Sequence, residues 1–521
     1  MREGKVFLVN PAHTTVGMSF LTPRWLFVIA AATPAGSLGL PDPVLVDESI
    51  MKFDPLRVGA GDIVGIGITT DNCMPGYRVL RAAKKRGATV IVGGIHATIF
   101  PEEPLSMGAD AVVTGNGDVV WGHAVHDALD GRLRRRYDGE RECGDRLLPA
   151  RWDLLRGQNL RSRYLFPTVQ TVVGCPENCT FCSVWVTEGR DLRLRSAGAV
   201  VQEVNELEAE GFPTLMFADD NFSPATLPRI AREESPSKRK ELEKVREQRM
   251  EFFREYARRV HRVIPAFTQM TSEVVGDDEY LAAMHDNMGI RGALIGIETF
   301  NADGLKKTRK TWNPVGERMV KVIQTIQSHG IYVLGSMICG LETDTLETLA
   351  TMREFARTST MLFAQFPIYR PFPGTVDFKE MVGDSARRGR HDSLAPAPKH
   401  SARLLHEKYW LETQLPRVIV EHPHMTAQEL LRVNQECWNS FYALREIWKR
   451  AVGLPCSLTW KLIYIFSSRG FRALYAGRGI SADGAPRKLG FLPRLALKGV
   501  GRLLAFSSLQ RKLRRKRKLA V

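Results

Sequence analysis

Gly174-Cys-Pro-Glu-Asn-Cys-Thr-Phe-Cys-Ser-Val-Trp185 places three cysteines, Cys175, Cys179 and Cys182, at spacings of four and three residues. Thiolates that lie so close in sequence can act as one ligand set, and soft thiolates favour iron-sulfur clusters. A four-iron cluster held by three protein ligands keeps one iron open for a substrate or cofactor. The stretch therefore predicts a 4Fe-4S centre that takes part in chemistry.

Zinc is the alternative metal for a cysteine cluster. A zinc site usually needs four protein ligands and often takes them from two separated CxxC pairs. The remaining cysteines are scattered singly along the chain, at Cys73, Cys143, Cys339, Cys437 and Cys456. This distribution favours the iron-sulfur interpretation, while zinc and unligated thiols remain the alternatives.

The residues around the cysteines carry a resemblance to a known family. Phe181 directly precedes the third cysteine, and the β-branched run Thr168–Val173 before the motif predicts a strand. A CxxxCxFC motif after a strand resembles the radical S-adenosylmethionine (SAM) superfamily. The resemblance implies that the three cysteines are the catalytic cluster ligands, that the open iron chelates the amino and carboxylate groups of SAM, and that Phe181 packs near the adenine.

Length and composition predict a large globular protein. The 521 residues are 44% hydrophobic and 25% charged, which corresponds to roughly three to four ordinary domains. The amino terminus shows no signal-peptide pattern, and the longest apolar runs are far shorter than the roughly 20 residues that cross a bilayer. We therefore expect a cytoplasmic protein with reduced cysteines.

The amino-terminal part alternates apolar strands with helices, as a doubly wound, Rossmann-like sheet requires. Uninterrupted apolar runs are typical of parallel strands buried on both faces. The predicted strands are Lys5–Val9, Ile63–Thr69, Thr89–Gly93 and Ala111–Thr114, and the predicted helices lie near Trp25–Ala32 and Tyr77–Lys85. The fold class is therefore α/β.

Polar and glycine residues follow these strands, where such sheets bind ligands. In order, they resemble the cobalamin-binding domain that precedes the barrel in one large class of radical SAM enzymes. The resemblance implies cobalamin contacts from Thr69, Thr70, Gly93, Gly94, His96, Gly115, Asn116 and Gly117. Two features depart from the family. Its last loop usually carries glutamates where this chain has Asn116 and Asp118, and Asn10–Gly17 lacks the DxHxxG pattern, which leaves His13 or no residue as the lower cobalt ligand.

A second series of strands and helices runs from Tyr164 to about Val382. Six candidate strands predict a partial (β/α)6 barrel with its chemistry at the carboxyl strand ends: Thr168–Val173, Thr214–Phe217, Ala266–Thr271, Gly292–Gly296, Tyr332–Ile338 and Leu362–Pro367. The resemblance implies that Asp219, Asp220 and Asn221 lie near the amino group of SAM, and that Gly296 and Glu298 lie near its ribose hydroxyls. Helix capping is the alternative role for these acids.

The predicted organisation has five parts: residues 1–135 as the cobalamin-binding domain, 136–163 as a solvated linker, 164–385 as the barrel, 386–485 as a helical carboxyl-terminal domain and 486–521 as a basic tail.

The net charge is +16, but residues 484–521 hold twelve Lys or Arg and no acid, which leaves only +4 for the rest. A nucleic-acid partner is therefore not expected for the catalytic domains. The tail interleaves apolar and cationic residues, which favours peripheral contact with an anionic membrane; a solubilising tail or nonspecific RNA binding is the alternative.

The resemblance implies a cobalamin-dependent radical SAM C-methyltransferase. Such an enzyme methylates an unactivated carbon through a 5'-deoxyadenosyl radical and methylcobalamin, and it draws electrons from an external flavodoxin or ferredoxin. Cys437–Tyr442 and Ile447–Arg450 further resemble the hopanoid methylase subgroup, which implies a lipid substrate. The alternatives are a non-methylating oxidative cyclase or carbon-carbon bond-forming enzyme, or an RNA-modifying methylthiotransferase. The last kind carries a second three-cysteine cluster upstream, whereas only Cys73 and Cys143 precede Cys175.

Overall fold

The computed structural model describes residues 4–13, 21–36, 39–388, 399–412, 416–454 and 456–475. Its first unit is a six-stranded parallel sheet of order β2-β1-β3-β4-β5-β6. The strands are β1 Val6–Asn10, β2 Val44–Asp47, β3 Ile63–Gly67, β4 Thr89–Gly93, β5 Ala111–Gly115 and β6 Arg136–Gly139. The four predicted strands of this sheet are confirmed, whereas the edge strands β2 and β6 were not predicted.

Helices cover both faces of this sheet, because its strands are apolar on both sides. One face packs the apolar residues of α1 and α5, and the other packs those of α2 and α3. The helices are α1 Arg24–Ala32, α2 Cys73–Lys84, α3 Ile95–Ile99, α4 Glu102–Ser106 and α5 Gly117–Leu129. The doubly wound architecture predicted from the sequence is therefore present.

The segment 136–163 differs from the solvated linker that its arginines and glycines predict. Its first residues form β6, which pairs in parallel with β5, and α6 (Asp153–Gly157) follows. Trp152, Leu155 and Tyr164 are buried. The reason is that a few apolar side chains, spaced among exposed charged ones, pack inward and join this segment to the core.

The second sheet is also parallel and six-stranded, with the order β14-β13-β12-β11-β10-β7. Its strands are β7 Thr168–Val169, β10 Leu215–Phe217, β11 Ala266–Met270, β12 Ile290–Glu298, β13 Tyr332–Met337 and β14 Phe363–Gln365. These match the six predicted strands, except that the first is divided. Its second half, β8 (Val172–Val173), pairs antiparallel with β9 (Arg193–Leu194).

Helices connect these strands and complete the partial barrel. They are α7 Val184–Thr187, α8 Ala197–Ala209, α9 Leu227–Arg232, α10 Pro236–Arg259, α11 Asp278–Asp286, α12 Ala302–Lys307, α13 Glu317–Ser328, α14 Leu346–Thr358 and α15 Val376–Arg388. The barrel is joined to the first unit through Glu203 of α8, which is fully buried. Its carboxylate accepts hydrogen bonds from Arg24 Nη2 of α1 at 2.7 Å and from Arg195 Nη2 at 2.6 Å.

The region after the barrel is mainly helical, as predicted. It contains the short strands β15 Arg403–Leu404 and β16 Val420–Glu421 and the helices α16 Ala427–Phe441, α17 Leu444–Gly453 and α18 Leu458–Tyr475. Trp410 Nε1 donates to both carboxylate oxygens of Glu103 at 3.2 Å, which ties this region to the first sheet. Among the described residues, no helix is both long and apolar enough to cross a membrane. The predicted basic tail, 486–521, lies outside the described residues.

Candidate functional site

The cysteine loop follows β8, at the carboxyl end of the barrel strands. Gly174 opens the loop with φ +95°, and a Cβ there would lie 2.8 Å from the Asp191 carbonyl oxygen, so the turn requires glycine. Within the loop, the Cys182 amide donates to the Cys179 carbonyl at 3.2 Å, and Trp185 Nε1 donates to the same oxygen at 2.9 Å. The backbone is thus folded tightly around the three thiols.

Burial controls the protonation of these thiols. It raises the pKa of Cys179 to about 12 although the nearby Lys310 ammonium lowers it, and it also raises the pKa values of Cys175 and Cys182. The metal-free thiols are therefore neutral at pH 7. Iron binding would replace their protons, and three cysteine sulfurs, one buried and two half-buried, are the donor set of an iron-sulfur cluster.

The three polar residues after β10 have different environments. Asp219 is fully buried and accepts hydrogen bonds from the Thr171 and Val172 amides at 2.6 and 3.2 Å, which fixes the chain just before the cysteine loop. Asn221 Oδ1 accepts from the Ser223 amide at 3.1 Å. Asp220 instead has a buried oxygen, Oδ2, without a hydrogen-bond partner.

Asp220 can therefore accept a hydrogen bond from an additional donor. Burial and the neighbouring Glu188 raise the pKa of its carboxyl group to about 7. A buried acceptor without a partner is costly, and an ammonium group placed beside it would remove that cost. The amino group of SAM has this chemistry, and the contact between it and Asp220 stays a prediction.

Glu298 ends β12 beside the cysteines, in a left-handed backbone conformation with φ +66°. Its Oε1 accepts a 2.6 Å hydrogen bond from Lys310 Nζ, which also donates to the Gly296 carbonyl at 3.0 Å. A Cβ at Gly296 would lie 2.1 Å from this carboxylate oxygen and 2.8 Å from Lys310 Nζ, so a larger residue there would displace this ion pair. Lys310 was not singled out from the sequence, yet it places a buried cation between Glu298 and the cysteines.

Phe181 is half-buried. It packs against an apolar cluster that extends from the first sheet to Tyr369 and Phe378, which follow the last barrel strand. Its side chain therefore contributes to the apolar surroundings of the cysteine loop.

A cavity of about 680 Å³ lies at the carboxyl end of the first sheet. Six of the predicted cobalamin contacts line it: Thr69, Gly93, Gly94, Gly115, Asn116 and Gly117. Its opposite wall comes from the barrel, from residues next to the cysteine loop and next to the acids after β10: Thr187, Glu188, Met216, Ala218 and Gln269. The cavity therefore joins the two units.

Two tryptophans and two strand glycines shape the deep part of this cavity. A Cβ at Gly65 would lie 2.5 Å from the Trp121 ring, and a Cβ at Gly67 would lie 2.5 Å from the Trp25 ring. All four residues line the cavity. The two indole rings therefore cover these glycines and give the cavity an aromatic lining, which suits a planar group such as the nucleotide base of cobalamin. None of these four residues was predicted from the sequence, because they lie within strands and helices and not in the loops after the strands.

His96 and Thr70 are not among the residues that line the cavity. His96 is fully buried, with Nε2 2.9 Å from Glu103 Oε1 and Nδ1 3.2 Å from Thr70 Oγ1. Glu103 also accepts a 2.8 Å hydrogen bond from Tyr77. The structure thus places His96 and Thr70 in a network beneath the loops, where they hold the wall rather than face the cavity.

His13 does line the cavity. Its Nε2 lies 3.3 Å from Asn72 Nδ2, and burial lowers the pKa of the imidazole. A neutral imidazole is the form that binds metals, but here the nitrogen already has a partner.

Comparisons with known proteins agree with this geometry. Residues 169–356 match the model of the radical SAM superfamily. The bacteriochlorophyllide d C-12(1)-methyltransferase of Chlorobaculum tepidum is 24% identical over 346 residues, which are 65% of this chain and 70% of that protein. The anaerobic magnesium-protoporphyrin IX monomethyl ester cyclase of Rubrivivax gelatinosus is 25% identical over 428 residues, 72% of this chain and 70% of the cyclase. The hopanoid C-2 methylase of Rhodopseudomonas palustris is 25% identical over 248 residues, 45% and 42% of the two chains.

Two solved structures share the fold over nearly the whole chain. The radical SAM methyltransferase TsrM of Kitasatospora setae, with cobalamin and a 4Fe-4S cluster bound, matches with a TM-score of 0.58 at 14% identity and covers 90% of this chain and 99% of its own. The cobalamin-dependent radical SAM enzyme OxsB, with aqua-cobalamin bound, matches with a TM-score of 0.57 at 12% identity, over 98% and 81%. Residues 169–356 are therefore similar to the radical SAM superfamily, and the chain shares the fold of these two cobalamin-dependent enzymes.

Proposed function

We propose that this protein is a cobalamin-dependent radical SAM C-methyltransferase that methylates an unactivated carbon of a small molecule or lipid, such as a hopanoid. The observation that carries the proposal is the shared cavity: its walls are the glycine-rich strand ends of the first sheet and the barrel residues next to the cysteine loop. The cluster, SAM and cobalamin together supply one-electron cleavage of SAM and transfer of a methyl group to carbon. Such transfer requires all reacting groups at one place.

The barrel residues then have separate roles. Cys175, Cys179 and Cys182 hold the cluster. The unpartnered Oδ2 of Asp220 accepts a hydrogen bond from the SAM amino group, and Glu298 accepts from the ribose hydroxyls. Asp219 and Asn221 act indirectly, because their oxygens already bind the backbone that positions the cysteine loop and its neighbour. Phe181 packs near the adenine.

The first sheet holds cobalamin through backbone and small side chains. The corrinoid and its tail contact Thr69, Gly93, Gly94, Gly115, Asn116 and Gly117, and the nucleotide base packs against the indole rings of Trp25 and Trp121. Glycines allow the close approach that a large, flat ligand needs. His96 and Thr70 support these loops from beneath.

Two further parts of the proposal rest on the relatives and on general chemistry. The methylase of Rhodopseudomonas palustris is named for a hopanoid, which supports a polycyclic lipid as the substrate class. An external flavodoxin or ferredoxin type of reductant would supply the electron, because the described chain offers one cysteine cluster and no second centre was predicted from the sequence.

Anaerobic turnover tests the reaction. The protein is reconstituted with iron, sulfide and cobalamin and supplied with SAM, reductant and a hopanoid, and the products are quantified by mass spectrometry. Methylation should give 5'-deoxyadenosine and S-adenosylhomocysteine together with a methylated hopanoid. 5'-Deoxyadenosine without S-adenosylhomocysteine, with any of the tested lipids, would instead support a cyclase like that of Rubrivivax gelatinosus.

Cysteine variants test the cluster assignment. Cys179→Ala should lose the iron-sulfur absorption and the formation of 5'-deoxyadenosine. Cys143→Ala is the matched control, since Cys143 is exposed and lies outside the loop, and it should retain both. Undiminished 5'-deoxyadenosine from Cys179→Ala would overturn the proposal.

A further inference from the structure

The last two described helices, α17 and α18, present large apolar side chains to solvent. Leu444, Trp448 and Val452 recur every four residues on α17, and Leu458, Leu462 and Phe466 do so on α18. Each of the six is between 44% and 70% exposed. Residues at this spacing share one face of a helix, so each helix carries an exposed apolar stripe. We call this pair of stripes the apolar hairpin face.

The stripes lie on helices that are firmly attached to the protein. The opposite side of α17 buries Ile447 and Ala451, and α18 buries Tyr464, whose hydroxyl donates to the Leu362 carbonyl at 2.8 Å. The helices also contact each other at the turn, where Lys461 Nζ donates to the Val452 carbonyl at 2.8 Å. The exposure is therefore a property of a fixed surface. Soluble monomers rarely expose several large apolar side chains together unless the surface binds something.

Cations outnumber acids on the two helices that carry this face. Glu446 is the sole acid between residues 444 and 475, and it is buried. Its carboxylate accepts a hydrogen bond from Lys449 Nζ at 3.0 Å. The border cations are therefore Arg445, exposed beside the α17 stripe, and Arg469, exposed one turn beyond Phe466. An apolar face that contains Trp and Phe and is bordered by cations is typical of helices that lie in the headgroup region of an anionic bilayer.

Charge also distinguishes among the partners that could cover the apolar hairpin face. The chain continues from Tyr475 into 46 further residues, but residues 484–521 hold twelve cations and no acid, so this tail is repelled by the cationic border. A second copy would bring the same cations. An anionic lipid surface complements both the apolar stripes and the charges, and each basic residue near such a surface strengthens binding.

We infer that the apolar hairpin face is a membrane-binding surface for anionic phospholipid. It would place the carboxyl-terminal helices against the bilayer and leave the catalytic units on the aqueous side. The inference is separate from the proposed reaction, because vesicle binding needs no cofactor and no turnover. Failure of either one leaves the other standing.

Vesicle sedimentation of the full-length protein tests the surface. The unmodified protein should bind vesicles of 30% phosphatidylglycerol and 70% phosphatidylcholine, a composition chosen at roughly the anionic content that recruits basic peripheral proteins. Trp448→Ser/Phe466→Ser should reduce the partition coefficient at least tenfold. Leu56→Ser is the matched control, because Leu56 is 77% exposed on the first unit, and it should bind as the unmodified protein does. Circular dichroism melting verifies that all three proteins are equally folded.

A charge variant and a second measurement complete the test. Arg445→Gln/Arg469→Gln should weaken binding to the anionic vesicles several-fold and leave the weak binding to pure phosphatidylcholine unchanged. If Trp448→Ser/Phe466→Ser binds as well as the unmodified protein, the basic tail alone is responsible and the inference is wrong. It is equally wrong if the unmodified protein does not bind, or if sedimentation velocity shows a dimer that the double variant abolishes.

Discussion

Replacing Glu203 by Gln should destabilise the junction between the two units severely. The carboxylate lies 2.7 Å from the Arg24 guanidinium and 2.6 Å from that of Arg195, and the Arg195 side chain is 1% exposed. Without the negative charge, two guanidinium groups are left facing each other with little solvent to screen them. Removing one partner of a buried ion pair costs about 3–5 kcal/mol. For a cooperative unit of about 150–250 residues, with about 2–4 °C per kcal/mol, Tm should fall by about 6–20 °C.

Differential scanning calorimetry of the metal-free protein measures this effect. Glu206→Gln is the matched control on the same helix, because Glu206 is half-buried and accepts a hydrogen bond from Gln202 at 3.0 Å, one turn away. It should change Tm by less than about 2 °C, as surface substitutions do. Arg195→Met/Glu203→Met removes one charge of each sign and should recover part of the loss. A fall in Tm for Glu203→Gln no larger than that of the control would refute the reasoning.

Three other outcomes follow from the same geometry. Lys310→Met should raise the Kd for SAM about 10- to 100-fold in equilibrium dialysis, because it removes the hydrogen bond that holds the Glu298 carboxylate and a hydrogen bond to a charged group contributes about 1.5–3 kcal/mol. Lys306 is exposed, so Lys306→Met should leave this Kd unchanged. Gly67→Ala should weaken cobalamin binding at least about tenfold in a spectral titration, because its Cβ would meet an indole ring of the cavity wall at 2.5 Å; Gly157→Ala, which meets no neighbour within 4 Å, should bind normally. Although burial raises the pKa of Glu203, the two arginines outweigh it and hold the pKa below its usual value. Its stabilisation is therefore present above the unfolded pKa of about 4.3 and lost as pH falls through the folded pKa, so the Tm difference from Glu203→Gln should shrink below about pH 4.

The strands that could be predicted were those buried on both faces. Their apolar runs are continuous, and β4 (Thr89–Gly93) and β10 (Leu215–Phe217) were located to within a residue. The two strands of the first sheet that were missed, β2 and β6, lie at its edges. An edge strand pairs on one side only and tolerates polar residues, so Arg136–Gly139 has no apolar run by which to be found.

Within the candidate site, the spacing of neighbouring residues could be read from the sequence, but the direction in which a side chain points could not. The cysteine motif depends on eight consecutive residues, so sequence alone identified it. Lys310 lies in a segment rich in lysine and arginine, and only the fold shows that this one turns inward to Glu298, twelve residues away. His96 was expected at the cobalamin because of the family resemblance, but its ring lies in the core, where Nε2 is 2.9 Å from Glu103 Oε1.

The hydrogen bonds between Trp410 and Glu103 span 307 residues of chain. Synthesis proceeds at about 5–20 residues per second. Trp410, which completes the hydrogen-bond network around Glu103, is therefore made roughly 15–60 s after Glu103 itself. During that interval Glu103 still has His96 and Tyr77, but its outermost support is missing. We therefore expect the chain to bind the corrinoid only late in translation or after release from the ribosome. Cobalamin would then bind the completed polypeptide.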